Sequence, residues 1–272
     1  MVTENIRRTY NRMFDAEKKA ADYILQHPEK VLEMNISELA RNSGTSDATV
    51  IRMCKHIGYT GFQQMKIHLA SESGTRQFVN VSDQTAPKDV VQFFSQVAAN
   101  ITDSAKNVDM AVLLEAVELL ASAEQVYLCA WGNSGAIASD MALRLGRIGI
   151  KAFYTQNIEY TFRSINIAGE KDVLVAISHS GTSIPVIQAI ELARKRGLQT
   201  MLITDSASSK AAELSDLVLR TAVKNQLFYD LGGVSHVFEY VLVDAILYFL
   251  KDKNMGMEMA DEAEAILSQY KL

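Results

Sequence analysis

The chain has 272 residues, 48% of them hydrophobic and 22% charged, with a formal net charge of −5. That is enough for one large or two moderate domains with buried cores, and no apolar run reaches the roughly 20 residues that span a bilayer. Glu4, Arg7, Arg8 and Arg12 stand where a signal peptide would carry its apolar core, so a cytoplasmic protein with no membrane partner is expected. Cys54 and Cys129 lack CxxC spacing, which argues against a disulfide framework or metal site and for two buried thiols. No cofactor and no metal are expected. Charge is uneven along the chain, +2 over residues 1–77 and −7 over residues 78–272, a mild asymmetry that supports nucleic-acid binding only beside a motif.

In chain order, the first helical pattern covers about residues 16–26 and stops before Pro28, with Ala20, Ile24 and Leu25 facing inward. Asn35-Ile36-Ser37-Glu38 reads as a capping box opening a short helix through Leu39, Ala40 and Arg41. Asn42-Ser43-Gly44-Thr45 then supplies a turn. A second helix follows Ser46 as N-cap, with Val50, Met53, Cys54 and Ile57 at i, i+3, i+4 and i+7, and Gly58 placed to close it. Ala48, Arg52 and Lys55 point away from that apolar face, and Thr49 and His56 flank it.

Two short helices joined by a glycine turn form a helix-turn-helix unit, whose second helix offers its N-terminal residues to base edges. Arg52 is the expected base reader, because arginine makes a bidentate pair with guanine, and Thr49 can meet an acceptor or a thymine methyl. Ser46, Lys55 and Lys66 are expected at phosphates, which add affinity without sequence choice. A hairpin that only packs is the alternative. Ile36-Ser37-Glu38-Leu39-Ala40, Ser46 with Thr49-Val50-Ile51-Arg52, and Gly58-Tyr59-Thr60-Gly61-Phe62 with Lys66 resemble the helix-turn-helix domain of RpiR-type regulators. The resemblance implies a double-stranded DNA operator as partner and a sugar isomerase (SIS) domain downstream.

Residues from Ser71 to Pro87 are polar and small enough for a connector. Val90, Val91, Phe94, Val97 and Ile101 predict a helix after it, and Met110 to Ala121 predict another. Five strands are expected at residues 125–131, 151–155, 173–178, 199–204 and 216–220. Helices alternate with them, which makes the fold class α/β, a parallel five-stranded sheet flanked by helices and preceded by a small all-α domain.

Two of these strands end in hydroxyl-rich bends. Residues 125–131 run into Gly132-Asn133-Ser134-Gly135, with a helix from about Ala136; residues 173–177 run into Ser178-His179-Ser180-Gly181-Thr182-Ser183, with a helix from about Ser183. A helix start aims backbone N–H groups and its positive dipole end at the bend, and serine and threonine hydroxyls can donate to phosphate oxygens. Single bends of this composition are ordinary turns; two at the carboxyl ends of parallel strands are what a ligand site in an open α/β sheet requires. Gly132-Asn133-Ser134 followed by Ser178-His179-Ser180-Gly181 resembles an SIS domain over residues 108–256. By that resemblance Ser134, Ser178, Ser180 and Ser183 hold a phosphate, and Asn133, His179 and Thr182 line the same pocket. Many members carry Glu-Thr after Ser-x-Ser-Gly where this chain has Thr182-Ser183, so the sugar stays open.

The expected layout is a DNA-binding domain at 1–77, a linker and connecting helix at 78–107, the SIS domain at 108–256 and a polar C-terminal helix at 257–272. A long helix from Val234 to Leu250 is apolar beyond one stripe, which fits core packing or a contact between subunits. For catalysis, His179, Glu159, His236 and Glu239 are the available acid and base groups, none paired at a spacing that demands it, so no catalytic residue is assigned. The expectation is a homo-oligomeric transcriptional regulator governed by a phosphorylated sugar. A phosphosugar isomerase with an accessory helical domain is the alternative, and a sensor whose helical domain binds protein is a third.

Overall fold

The computed structural model describes residues 2–72, 87–221, 235–253, 262 and 265–270. The chain divides into two compact units, residues 1–93 with 225–235, and residues 94–224 with 236–272. The expected connector falls largely outside the described residues, as does most of the expected C-terminal helix.

The first unit is helical: α1 (Val2–Thr9), α2 (Asp15–Gln26), α3 (Pro28–Glu33), α4 (Ile36–Asn42), α5 (Asp47–His56) and α6 (Phe62–Glu72). Local chemistry sets the boundaries. The Asn35–Glu38 capping box forms in both directions, each bond 2.9 Å, and Ser46 caps α5 by accepting from the Thr49 N–H. Gly44 and Gly58 take positive φ after α4 and α5. Val50, Met53, Cys54 and Ile57 are buried with Ile24, Leu39, Met65 and Leu69, so the periodicity of α5 marks its inner face as expected. α1 and α3 were not expected; α1 buries Val2 and Ile6, and α3 begins on Pro28, whose fixed φ suits a first helical turn. Buried Glu17 of α2 accepts from the Phe14 N–H at 3.1 Å and bonds His56 at 2.8 Å, which ties the end of α5 to the start of α2.

The remaining elements are α7 (Val90–Ala105), α8 (Met110–Ser122), β1 (Val126–Ala130), α9 (Ser134–Arg147), β2 (Ala152–Tyr154), α10 (Ile158–Ile167), β3 (Val173–Ile177), α11 (Ile184–Lys195), β4 (Gln199–Thr204), α12 (Lys210–Leu214), β5 (Leu217–Arg220) and α13 (Val237–Leu250). The division between units falls inside α7. Among the described residues the five strands pair in parallel in the order β2-β1-β3-β4-β5. Alternation along each strand assigns the two faces. Val126, Leu128, Ala130, Val173, Val175 and Ile177 bury against α8, α9 and α13. Cys129, Leu174, Ala176 and Leu202 bury against α10, α11 and α12. The helices that follow β1 and β3 therefore leave on opposite faces.

The bend after β3 is bound to its neighbour. The Asp205 N–H and the Thr204 hydroxyl both donate to the His179 carbonyl at 3.0 Å, and the Ala211 N–H donates to the Gly181 carbonyl at 3.1 Å. Gly181 has φ of 63°, and a Cβ there would overlap the buried Ser209 side chain. Gly181→Ala combines a left-handed backbone with overpacking, so it is expected to lower unfolding free energy by more than about 2 kcal/mol in urea titration. Both cysteines are free and buried, and burial pushes each thiol up to about 12. At pH 8 about one thiol in ten thousand is then ionised, so iodoacetamide should alkylate Cys54 and Cys129 only after denaturation, read by intact mass.

Candidate functional site

The chain climbs β1, steps to β2 on one side, then recrosses to β3 on the other, so the direction of strand order reverses between β1 and β3. At such a switch point the connections diverge and leave a crevice at the carboxyl ends of the strands. Ala130 pairs with Ile177 in register, so the two hydroxyl-rich bends start side by side on strands about 4.8 Å apart. Ser134 is the first residue of α9 and is buried; Asn133 precedes it, exposed. On the second bend the Ser178 hydroxyl donates to Ser183 Oγ at 3.4 Å, Ser180 and Thr182 share a hydroxyl contact of 2.9 Å, and the Thr182 N–H donates to Ser180 Oγ at 3.4 Å. Neither N-cap side chain, Asn133 or Ser183, hydrogen-bonds the first turn of its own helix.

His179 and Glu239, which no sequence spacing pairs, meet in the fold. The His179 Nδ1 lies 2.6 Å from Oε1 of Glu239, 60 positions away in sequence and in the first turn of α13. The Glu239 side chain is 1% exposed and that of His179 23%. Burial works against charge on both, but the hydrogen bond and mutual attraction outweigh it. His179 is held above its ordinary pKa, with Asp205 contributing, and Glu239 is held well below the usual carboxylate range. His236 Nδ1 stands 3.7 Å from Glu239 Oε2, longer than a normal hydrogen bond, and this approach also favours the ionised carboxylate. One donor atom each from His179, His236 and Glu239 lie within 4.8 Å of one another. Chain separation hid this grouping; all three residues were legible as acid and base groups in the sequence, but not that they meet.

An open depression adjoins the β1 bend and is lined by Trp131, Asn133, Asp140, Tyr154 and Gln156, among others; the β3 bend lies outside it. Tyr154 approaches the start of α9 because Gly135 has no side chain: a Cβ there would come 2.5 Å from the tyrosine oxygen. Nothing in the spacing of the sequence marked this contact.

On α5, Ala48, Arg52 and Lys55 are exposed on one side, and Ser46 is exposed at its start. Thr49 is only 4% exposed; its hydroxyl meets Ser46 Oγ at 2.9 Å and accepts from Arg52 Nη2 at 3.2 Å. Thr49 thus steadies the arginine from beneath. Lys66 donates to the Met34 carbonyl at 2.8 Å, and its ammonium lies 5.5 Å from the centre of the Phe62 ring, so it is engaged in packing α6.

Residues 1–76 match the helix-turn-helix domain of the rpiR family, and residues 119–243 match the SIS domain. An uncharacterised HTH-type transcriptional regulator of Haemophilus influenzae is 30% identical over 226 residues, which cover 80% of this chain and 78% of that protein. The uncharacterised HTH-type regulator YbbH of Bacillus subtilis is 29% identical over 236 residues, covering 85% and 83%. The Vibrio vulnificus NanR protein complexed with ManNAc-6P matches in structure with a TM-score of 0.77 at 28% identity, over 98% of both chains. Among the described residues no helix is long and apolar enough to cross a membrane. These three relatives are named as regulators, and with both matches in order along one chain, this protein belongs to the RpiR family of helix-turn-helix transcriptional regulators that carry an SIS domain.

Proposed function

We propose that this regulator, acting in the cytoplasm as a homo-oligomer, reads a DNA operator with α5 and is controlled by a phosphorylated sugar bound between the bends after β1 and β3. One observation carries the reading: two hydroxyl-rich bends stand next to each other at the carboxyl ends of β1 and β3, where the strand order reverses. Ser134, Ser178, Ser180 and Ser183 hold the phosphate, aided by the N-terminal ends of α9 and α11, while Asn133, His179 and Thr182 face the sugar. That the similar NanR structure is a complex with ManNAc-6P supports a sugar phosphate as the ligand class.

On α5, Arg52 reads a base edge, Ser46, Ala48 and Lys55 lie along the groove, and Thr49 orients Arg52. Lys66 donates to the Met34 carbonyl through one of its three N–H groups, and an ammonium can serve a phosphate at the same time. Ligand binding favours one arrangement of the oligomer, and half-sites about 34 Å apart tolerate little change in the distance between recognition helices.

The double variant Ser178→Ala/Ser180→Ala should bind operator DNA as the parent does and lose its response to effector. In a thermal-shift screen of phosphorylated sugars, a ligand at about 100 times its Kd adds about 2.7 kcal/mol to the parent and should add nothing to the variant. A double variant that is stabilised equally removes the phosphate role. Arg52→Ala should relax selectivity at one operator position by about 1–3 kcal/mol in selection from random duplexes; an unaltered consensus would exclude Arg52 as the reader.

A further inference from the structure

Among the described residues, two buried side-chain polar atoms lack a hydrogen-bond partner, His236 Nδ1 and Glu239 Oε2, and they face each other across 3.7 Å. An orphaned polar atom in a protein interior is costly, and such atoms mark places where a water or ion belongs. Here the two orphans sit beside a third donor. His179 contributes its ring to the same carboxylate, and one donor atom from each residue lies within 4.8 Å of the others.

We propose that His179, His236 and Glu239 form a binding site for a divalent transition cation of the Zn²⁺ class. The chemistry of the donors selects the ion. Two imidazoles and one carboxylate, with both cysteines buried in other parts of the fold, suit a borderline cation such as Zn²⁺ and not Ca²⁺ or Mg²⁺, which take oxygen shells. Three protein ligands leave a fourth position for water or another oxygen ligand. Tetrahedral N and O donors at about 2.0–2.1 Å from the ion stand about 3.4 Å apart, so donors that now lie within 4.8 Å of one another need to close by at most about 1.4 Å. Glu239, 1% exposed, supplies the negative charge in a setting of low dielectric, where attraction to a cation is strong.

The fold holds two of these ligands on independent supports. His179 is fixed by its own carbonyl, which accepts from Asp205 and Thr204, and Glu239 is fixed in the first turn of α13. His236 is the residue before that helix; its carbonyl accepts from the Tyr240 N–H, while its side chain makes no capping bond and its ring stands edge-on to that of His179. The site shares His179 with the proposed sugar pocket, but cation binding requires nothing of the hydroxyl groups on the bends and is tested without any sugar.

The test uses the full chain, stripped with chelator and titrated with ZnCl₂ by calorimetry in the absence of any sugar. One equivalent should bind, with a rise in Tm, and Co²⁺ in its place should give the visible absorption of a four-coordinate N/O site. His236→Ala should lose at least about 10–100-fold in affinity, the size seen when even outer partners of a metal are removed, whereas His68→Ala, altered at an exposed histidine, should bind as the parent does. Should His236→Ala fail to fold, X-ray absorption on the zinc-loaded parent decides: two imidazoles and no sulfur support the site. A sulfur neighbour, no bound equivalent, or equal affinity in His236→Ala would overturn it.

Discussion

The pairing of β1 with β3 is the constraint on which the SIS unit depends. Their inward residues alternate strictly, Leu128, Ala130, Val175 and Ile177 to one face, Cys129, Leu174 and Ala176 to the other. Because each face must bury its apolar set, α9 has to turn one way and α11 the other. The two hydroxyl-rich bends leave the adjacent ends of β1 and β3 between these diverging helices. The scaffold around the second bend is built to hold shape: the His179 carbonyl takes two hydrogen bonds, and Gly181 fits against Ser209 only because it lacks a side chain. Such rigidity suits a binding site, since groups already in place lose little freedom when a ligand arrives.

Electrostatics adds a second layer at the same edge. Glu239 is buried, and a lone carboxylate there would be driven to neutrality. Its bond to His179 keeps it ionised, and the N-terminal end of α13 favours the same charge. Removing one partner of a buried ion pair costs about 3–5 kcal/mol because the other is left stranded, so the pair links α13 to the β3 bend with real strength. Whatever displaces or extends that pair, a proton, a cation or a sugar oxygen, acts on both elements together.

The helix-turn-helix unit follows the same logic on a smaller scale. Its helix α5 is placed from below by Val50, Met53 and Cys54, and from its end by the buried Glu17, which bonds His56. Thr49, read from sequence as a flank residue able to touch a base, is buried and accepts from Arg52; Lys66, expected at a phosphate, donates to the Met34 carbonyl. A helical wheel fixes angles about one axis, and it does not include the neighbouring helix that covers a flank.

Much of this protein was decided by local rules, and those were legible residue by residue. Strand positions, the capping box at Asn35, the N-cap at Ser46, the glycine ends at Gly44 and Gly58 and the two hydroxyl bends each follow from periodicity or backbone chemistry within a few residues. The sequence alone thereby determined the order of elements, the α/β class and the kinds of side chain brought to the strand ends. Only the tertiary structure decided that β1 lies beside β3, that Tyr154 closes on Gly135, and that Glu239 meets His179 across 60 positions. Those contacts depend on which strand becomes a neighbour and how helices cover a sheet, and such long-range choices are set by burial of the whole core, which no local pattern records.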